Sequence, residues 1–420
     1  MFLLKKLLLV SIVLTVIMAT VLAAPVKVEF WHAMGSQQGE AVEEIVKMFN
    51  DQNPDIEVEP VYIGNYGALN QKLLASVQSD TLPVISQSYS NWTSKLLQSD
   101  VVADLTGFIN GEEGFTDAQW EDIWKPFREM CTWGDEVYAL PFNKSIYVTY
   151  YDSDLFDMEG IEPPEDYDDV RRLAEELTVV GEDGEVERYG FGFRTTVDAF
   201  SIFLLNNGGT IVEQNADGSY EITLDSPETR KTLEFLKGMK DDNIAYVEGG
   251  YLNGPFGEGR IAFYCDTIAG KSYVDSACRG KHDWNWSAIP SNETFRPPFA
   301  GTDVIMFETA DQAQKEAGWK FMKFLTSQKV TTFWSMKTGY LPVRKSALET
   351  PEWKTFTRLE PKAAIPVQFV PDAYVDPKPA TWYEIRNVVG DMFNNIIYEK
   401  WTVDEGIDWA VKEIHGYLNQ

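Results

Sequence analysis

The sequence predicts an α/β fold made of two lobes. Segments with strand-like alternation follow segments with helical periodicity several times along the chain, as in open sheets with mainly parallel strands. The ~395 residues beyond the N-terminal segment exceed what one hydrophobic core usually supports, so two domains are expected. Since no repeat, low-complexity tract or Ser/Gly-rich linker is present, several crossings should join the lobes, with a ligand cleft between them.

The first lobe begins with a strand, helix, strand, helix, strand series. VKVEFWHAM alternates apolar residues, and EAVEEIVKMFN places Val42, Ile45, Val46 and Phe49 on one helical face. The helix should end at NPD, because a proline disfavours a helical conformation for the residue before it. A strand in IEVEPVY, a helix in NQKLLASVQSD and a strand in LPVISQSY complete the series.

The alternation resumes after the stretch EVYALPFNKSIYVTYYD. The predicted helices are DDVRRLAEELTVV, TRKTLEFLKGMKDD and the one that carries Ala313, Ala317, Phe321 and Phe324, and the predicted strands are YGFGF, GRIAFYC and DVIMF. The C-terminal part is expected to be helical and rich in aromatic residues.

The N-terminus has the features of a secretory signal peptide. Lys5 and Lys6 precede an apolar run, and small residues follow at Ala23 and Ala24, where cleavage is expected. An uncleaved anchor helix is the alternative, but the apolar run is too short and wrongly flanked for it. No cysteine follows the small residues, so a lipid-modified N-terminus is not expected. We therefore predict an exported protein, in a periplasm or outside the cell.

The charge excludes two kinds of partner. Removing the signal peptide leaves 34 basic against 65 acidic residues, a formal charge of −31. Such a surface argues against nucleic acid and anionic lipid, although a buried site can still accept an anion. Three cysteines are too few for a disulfide framework, and at most one pair is expected, with Cys265 and Cys278 as candidates.

The sequence lacks the familiar catalytic motifs. Three histidines have no metal-ligand spacing, and neither HExxH nor GxSxG occurs. AGKS at 269–272 ends like a phosphate-binding loop, but Cys265 stands where the earlier glycine is required. A glycosidase carboxylate pair has no spacing signature and could be present among so many acids. We predict no enzyme, metal or cofactor.

The stretches FWHAM, NPDIEVEPVYIGNY, LPFNKSIYVTYYD, FAGTD and WSMKTGYLPV occur in this order over nearly the whole mature chain. Together they resemble the extracellular solute-binding proteins of ABC importers, in particular the glycerol-3-phosphate-binding branch. This resemblance implies a two-lobed periplasmic-binding-protein-like fold of type II that closes on a ligand and delivers it to a membrane permease. It also implies a monomer.

The resemblance implies five ligand contacts. Tyr66 in GNY would reach the ligand from the first lobe, and Ser145 in PFNKS would donate a hydroxyl at the inter-lobe crossing. Gly301 in FAGTD would offer a backbone N–H where a side chain could not fit. Tyr340 and Arg386 would bind the phosphate, the latter through a charge-assisted fork.

The polyol end of the implied site departs from the family pattern. Ser90 stands where the family has a glutamate, Arg194–Thr195 where it has a tryptophan, and Thr267 where it has a serine. Ser90, Arg194 and Thr267 are therefore further candidates, and Trp31 is another because a flat ring can stack on a sugar face. Among thirteen tryptophans, Trp31, Trp92 and Trp382 are those to look for in the cleft.

Each candidate also has an ordinary structural explanation. Tyr340 follows Gly339, a plausible helix C-cap, and could pack as an apolar cap. Arg386 could be a salt-bridged surface side chain, with Glu384 near it, and Ser145 could be a buried hydroxyl bonded to backbone. Tyr66 could be a loop aromatic, and a turn alone would explain Gly301.

The predicted lobes are residues 25–143 with 282–312, and residues 144–281 with 313–420, after a signal peptide at 1–24. The predicted ligand is glycerol-3-phosphate or a related glycerophospho compound. The same fold binding a neutral mono- or oligosaccharide is the first alternative, and a secreted glycoside hydrolase is a distant one.

Overall fold

The computed structural model describes residues 24–419. The predicted signal peptide, residues 1–24, lies outside the described residues apart from Ala24. Within residues 24–419, no helix is both long and apolar enough to cross a membrane.

The strands and helices alternate along the chain as predicted. The strands are β1 (Val26–His32), β2 (Ile56–Tyr62), β3 (Ile85–Ser88), β4 (Thr132–Trp133), β5 (Glu136–Val137), β6 (Ala139–Asp152), β7 (Val179–Val180), β8 (Val186–Arg194), β9 (Val212–Gln214), β10 (Tyr220–Ile222), β11 (Ala245–Glu248), β12 (Ile261–Thr267), β13 (Trp284–Ser287) and β14 (Phe299–Met306). The α-helices are α1 (Ser36–Asn50), α2 (Tyr66–Ser79), α3 (Ser90–Leu97), α4 (Thr106–Asn110), α5 (Asp117–Asp122), α6 (Lys125–Met130), α7 (Ser153–Glu159), α8 (Tyr167–Leu177), α9 (Val197–Asn206), α10 (Pro227–Asp241), α11 (Asn253–Gly257), α12 (Lys271–Cys278), α13 (Gln312–Leu325), α14 (Gln328–Thr338), α15 (Pro351–Leu359), α16 (Trp382–Ile397) and α17 (Val403–Leu418). Short 3₁₀ helices cover Ile268–Gly270, Lys345–Glu349, Pro361–Ala364 and Pro366–Asp372.

One ten-stranded sheet runs through the molecule. Its order is β11-β8-β12-β6-β14-β3-β1-β2, with β13 added beside β6 and β7 beside β8. The pairs at both ends are parallel, as expected for strands joined through helices, whereas β6 and β14 pair antiparallel at the centre. The α/β fold class is confirmed, and the sheet is mixed rather than mainly parallel.

The long strand β6 connects two hydrophobic cores. Its first half pairs with β14, and its second half pairs with β12 and β13. The first core contains β1 and the predicted apolar face of α1, and the second contains β8, α8 and α16. A third cluster, rich in aromatic residues such as Tyr150, Tyr264 and Trp286, lies where β6, β12 and β13 meet.

The assignment of residues to the two cores can be compared with the predicted limits of the lobes. Helices α13 and α14 place Trp319, Phe321 and Trp334 in the first core, while Ile289 packs in the second. The limits stay a prediction, but this packing favours assigning residues 312–340 to the first lobe. Amphipathic periodicity predicts a buried face for a helix without indicating which core covers it.

A buried ion pair joins the neighbouring antiparallel strands β6 and β14. The Lys144 ammonium donates to Asp303 at 2.9 Å, and the two side chains are 0% and 1% exposed. The three cysteines are free thiols in buried positions, so the structure does not pair Cys265 with Cys278. Cys265 packs in the second core and Cys278 in the third cluster, which separates the two thiols.

Candidate ligand-binding site

A cavity of about 640 Å³ lies between the two cores. This volume is within the range of about 300–1,000 Å³ that is typical of small-molecule sites. The cavity is lined by side chains and backbone of Ala33, Met34, Gly35, Ser36, Gln38, Tyr62, Gly64, Asn65, Tyr66, Tyr89, Ser90, Asn91, Trp92, Met130, Tyr147, Tyr150, Arg194, Asp198, Tyr251, Asn253, Tyr264, Asp266, Thr267, Ala269, Gly270, Tyr273, Val274, Phe299, Ala300, Gly301, Tyr340, Asp376 and Arg386. We call the part contributed by elements of the first core, together with Tyr340, the first wall, and the opposite part the second wall.

Most of the candidate residues from the sequence meet in this cavity. Of the five principal candidates, Tyr66, Gly301, Tyr340 and Arg386 line it. Of the further candidates, Ser90, Arg194 and Thr267 also line it. Their meeting makes the cavity the candidate site, while their roles toward a ligand stay predictions.

Ser145 does not line the cavity. Its side chain is fully buried, and its Oγ accepts a hydrogen bond from the Ala269 N–H at 3.1 Å. Ala269 itself is part of the lining, so Ser145 supports the wall from behind. The ordinary explanation, a buried hydroxyl bonded to backbone, describes its position.

All three tryptophans named above belong to the cores, and one of them also lines the cavity. Trp31 packs in the first core, donates its indole N–H to Glu29 and has the Lys72 ammonium 4.4 Å from its ring centre. Trp382 packs in the second core, and its N–H donates to Asp376 at 3.3 Å. Only Trp92 of these three lines the cavity.

An aromatic cluster forms much of the first wall. The rings of Tyr66 and Tyr89 meet edge to face at 5.1 Å, and those of Tyr89 and Trp92 at 4.9 Å. Edge-to-face pairs of this kind hold ring positions beyond what area burial alone does. Tyr66 begins α2 because Asn65 caps the helix through a 2.9 Å bond to the Ala68 N–H.

Tyr340 both packs and faces the cavity. Gly339 ends α14 in the left-handed conformation (φ +82°), and Tyr340 then stacks on Trp334 with ring centres 5.7 Å apart. The ring is 4% exposed, yet it lines the cavity. Burial raises the pKa of its hydroxyl, so this group stays protonated at neutral pH.

Gly301 is required by the sheet itself. It has φ +85°, and a Cβ atom there would stand 1.9 Å from the Asn143 carbonyl oxygen of the neighbouring strand β6. The close approach of β6 and β14 is therefore sufficient to explain this glycine.

All charged side chains of the cavity lie in the second wall. Arg386 donates to Asp198 and lies 3.6 Å from an Asp376 oxygen. Burial acts to lower the pKa of Arg386, but the two carboxylates more than offset it and hold that pKa above its ordinary value. Arg386 is thus salt-bridged, but to partners other than Glu384, which bonds Lys95 of α3.

A second arginine–carboxylate group lies beside the first. Arg194 donates to the Gly250 carbonyl at 2.9 Å, lies 3.8 Å from Asp266 and stacks on the Tyr251 ring at 4.4 Å. Burial raises the pKa of Asp266, while Arg194 acts to lower it. Both guanidiniums therefore have carboxylate partners, and in this lining three carboxylates stand against two guanidiniums.

Sequence reasoning missed the three aspartates of the second wall. Asp198 had a weak local signal, because it stands in the first turn of α9, whose cap Thr196 is two residues after Arg194. Asp266 and Asp376 had no such signal. Asp266 lies near the end of strand β12 and Asp376 lies in an irregular segment, and neither position indicates from sequence that the carboxylate faces the cavity. Among the described residues, no group of three or more His, Cys, Asp and Glu side chains is placed to hold a metal ion.

Comparison with known proteins decides the family. A family model described as bacterial extracellular solute-binding protein matches residues 44–361. The chain belongs to this family. Members bind small-molecule ligands and deliver them to an ABC permease, and the family is not enzymatic.

The similar proteins are named for, or were solved with, different ligands. The chain is 23% identical over 410 residues to the sn-glycerol-3-phosphate-binding periplasmic protein UgpB of Escherichia coli O6:K15:H31, covering 92% of this chain and 91% of that one. The GacH receptor of Streptomyces glaucescens, solved unliganded and with acarbose, superposes with a TM-score of 0.82 at 16% identity, covering 95% of this chain and 100% of that one. UgpB from Mycobacterium tuberculosis, solved with glycerophosphocholine, also gives 0.82, at 19% identity, with 94% and 99% covered. These structures confirm the two-lobed solute-binding fold of the chain.

Proposed function

We propose that this member of the family captures a neutral saccharide and delivers it to its permease. The observation that carries the proposal is the charge state of the cavity, in which both guanidiniums are already paired and carboxylates outnumber them three to two. A phosphate dianion would add negative charge to this wall and would compete with Asp198 and Asp376 for Arg386. Sugar hydroxyls can donate to the carboxylates without that cost.

The aromatic lining supports the same ligand class. Nine tyrosines and Trp92 line the cavity, and flat apolar rings with polar edges suit the faces of sugar rings. Three of those tyrosines, Tyr62, Tyr251 and Tyr273, are 57%, 72% and 53% exposed. Since they extend the aromatic surface toward solvent, they support a ligand longer than one sugar unit.

Calorimetry with a ligand panel tests the proposal. Maltose, trehalose and cellobiose are compared with glycerol-3-phosphate and glycerophosphocholine, each at pH 6 and pH 8. We expect at least one sugar to bind with an affinity that is the same at both pH values, because no titration of the ligand occurs. Binding by the phosphorylated ligands alone would contradict the proposal.

A glycerophospho compound is the second candidate. The placement of Tyr66, Gly301, Tyr340 and Arg386 on one cavity favours it, together with the relatives named for glycerol-3-phosphate. Arg386→Ala separates the two, because it should abolish binding of a phosphorylated ligand and leave sugar binding mostly intact. A monoester phosphate should also bind more weakly as the pH falls through about 6, where it loses its second charge.

Export is proposed with this function. The N-terminal signal is a prediction from residues outside the described part of the chain, and the relatives that are named periplasmic support it. N-terminal sequencing of the secreted protein should find a start close to Ala24 or Pro25.

A further inference from the structure

A chain of fully buried polar side chains lies behind the first wall. Gln87 on β3, Asn143 on β6 and Thr302 on β14 are each 0% exposed, and none of them lines the cavity. Buried amides and hydroxyls are costly unless they are hydrogen-bonded, so the arrangement of these groups is strongly constrained.

The orientation of Gln87 is fixed by backbone. The Ala33 N–H donates to Gln87 Oε1 at 2.8 Å, and a backbone N–H can only donate. The Gln87 amide nitrogen must therefore face the other way. It donates to Asn143 Oδ1 at 2.8 Å and to Thr302 Oγ1 at 3.0 Å.

The orientation of Asn143 follows from that of Gln87. Asn143 Oδ1 accepts from Gln87 and also from the Thr302 hydroxyl, so its nitrogen points toward the first wall. There Asn143 Nδ2 donates to the Tyr66 hydroxyl at 2.8 Å. Because Tyr66 accepts this bond, its own proton is free to be donated onward.

The proton of the Tyr66 hydroxyl is available to a group on the cavity side of the ring. Tyr66 and Tyr340 both line the cavity, and burial raises the pKa of each hydroxyl, so both hydroxyls keep their protons at neutral pH. The Tyr340 hydroxyl then has its own proton left for a group in the cavity. Since Tyr66 accepts from Asn143, the two hydroxyls keep at least one proton to donate into the cavity.

We propose that Gln87, Asn143 and Thr302 form a buried relay that fixes the Tyr66–Tyr340 pair as a hydrogen-bond donor toward the cavity. The ligand must then present an acceptor oxygen at this point, either a sugar oxygen or a phosphate oxygen. This inference rests on the proposed solute-binding role of the cavity. Gln87, Asn143 and Thr302 act through the tyrosines and are positioning residues.

Neutron diffraction from crystals of the deuterated, ligand-free protein tests the relay directly. We expect deuterium on Asn143 Nδ2 facing Tyr66 and on the Tyr66 hydroxyl directed away from Asn143. An Asn143 side chain with its oxygen toward Tyr66 would overturn the proposal. This result does not depend on which ligand the protein binds.

Gln87→Glu tests the consequence for binding. A carboxylate accepts only, so Asn143 should turn its nitrogen toward Glu at position 87 and its oxygen toward Tyr66. Tyr66 then donates to Asn143 instead of toward the cavity, and the cavity loses that donor. We expect about tenfold weaker binding, the upper range for one neutral hydrogen bond, with cooperative unfolding retained.

Two further variants make the test specific. Thr302→Val removes two bonds, to Gln87 and to Asn143, without reversing the direction of the relay, so its loss of affinity should be smaller than that of Gln87→Glu. Gln98→Glu adds the same charge on an exposed residue and should not alter affinity. Maltose, trehalose, cellobiose and glycerol-3-phosphate are the probes.

The outcomes separate the two proposals. If only glycerol-3-phosphate binds, the saccharide function fails while a tenfold loss in Gln87→Glu still supports the relay. If a sugar binds the wild type and Gln87→Glu equally well, the relay fails and the saccharide function stands. If no probe binds, the proposed function fails, and the neutron result alone decides the relay.

Discussion

The two walls of the cavity are built from different chemistry. In the residues that the structure describes, the first wall offers tyrosine hydroxyls, Trp92, small side chains and amides, and no formal charge. The second wall carries Arg194, Asp198, Asp266, Asp376 and Arg386. Two lobes of similar architecture thus face one cavity with a neutral surface and a charged surface.

The difference follows from what supports each wall. Behind the first wall, buried amides and hydroxyls satisfy one another without charge. In the second wall, each guanidinium is held by carboxylates, so charge is balanced locally and is sensitive to any substitution. A ligand bound between the two walls contacts neutral hydrogen-bonding groups on one side and paired arginine and aspartate side chains on the other.

The largest expected effect comes from breaking the buried ion pair between Lys144 of β6 and Asp303 of β14. Lys144→Met leaves Asp303 buried without a cation, and such a loss costs about 3–5 kcal/mol in the free energy of unfolding. Denaturant unfolding measures it. The double variant Lys144→Met/Asp303→Leu should recover most of the loss, because replacing both members of a buried pair by apolar groups is often neutral. A loss below about 1 kcal/mol in the single variant would show that Asp303 is not charged.

A buried histidine next to the first wall is neutral at physiological pH. His32 is 2% exposed at the end of β1, with its ring 5.9 Å from that of Tyr62, and burial lowers its pKa to about 4. The unfolded chain binds a proton near pH 6.5 while the folded chain does not, so stability falls as the pH drops from 6.5 toward 4. Relative to His32→Asn, the wild type should lose on the order of 2 kcal/mol by pH 5.

The control for His32 is an exposed histidine. His415→Asn, on the surface of α17, should leave the pH dependence of unfolding as in the wild type. Equal slopes for wild type and His32→Asn between pH 7 and pH 5 would contradict a neutral His32.

Removing Arg386 should destabilise the second wall most at neutral pH. Arg386→Met leaves Asp198 and Asp376 without their cation, at a cost of about 1–2 kcal/mol after allowing for their partial exposure. Burial already raises the pKa of Asp376 and Arg386 lowers it, so the variant raises it further. A carboxylate with a raised folded pKa loses stability as the pH rises through that pKa, so the deficit should shrink toward pH 4.

A second substitution checks the origin of that deficit. Adding Asp198→Asn to Arg386→Met removes one of the two unpaired charges and should restore part of the stability at pH 7. A deficit that is the same at pH 4 and pH 7 would mean that lost packing, rather than charge, is responsible.

Sequence patterns predicted the fold well because burial periodicity is a local property. The apolar face of α1 and the strand β1 are visible in a few consecutive residues. The family resemblance pointed to Tyr66, Tyr340 and Arg386, and all three line one cavity. It could do so because proteins with the same fold keep equivalent backbone positions even when their sequences are distant.

What could not be predicted depends on contacts distant in sequence. Whether Ser145 faces a ligand is decided by the Ala269 N–H, 124 residues away. The Asp376 carboxylate meets Arg386 only because the irregular segment before α16 folds back on it. The relay behind the first wall joins Gln87, Asn143 and Thr302 from three strands, and no local pattern marks any of them.

The smallest expected effect concerns the neutral wall. Tyr66→Phe removes the hydroxyl that accepts from Asn143, and one neutral hydrogen bond is worth about 1 kcal/mol in the free energy of unfolding. In contrast to Arg386→Met, the loss should be constant between pH 5 and pH 8, because burial holds the pKa of Tyr66 well above that range. Tyr62→Phe, with a side chain 57% exposed on the same wall, is the matched control and should leave stability unchanged. A pH-dependent loss in Tyr66→Phe would mean that the first wall is coupled to the charges of the second, and the contrast between the walls would then fail.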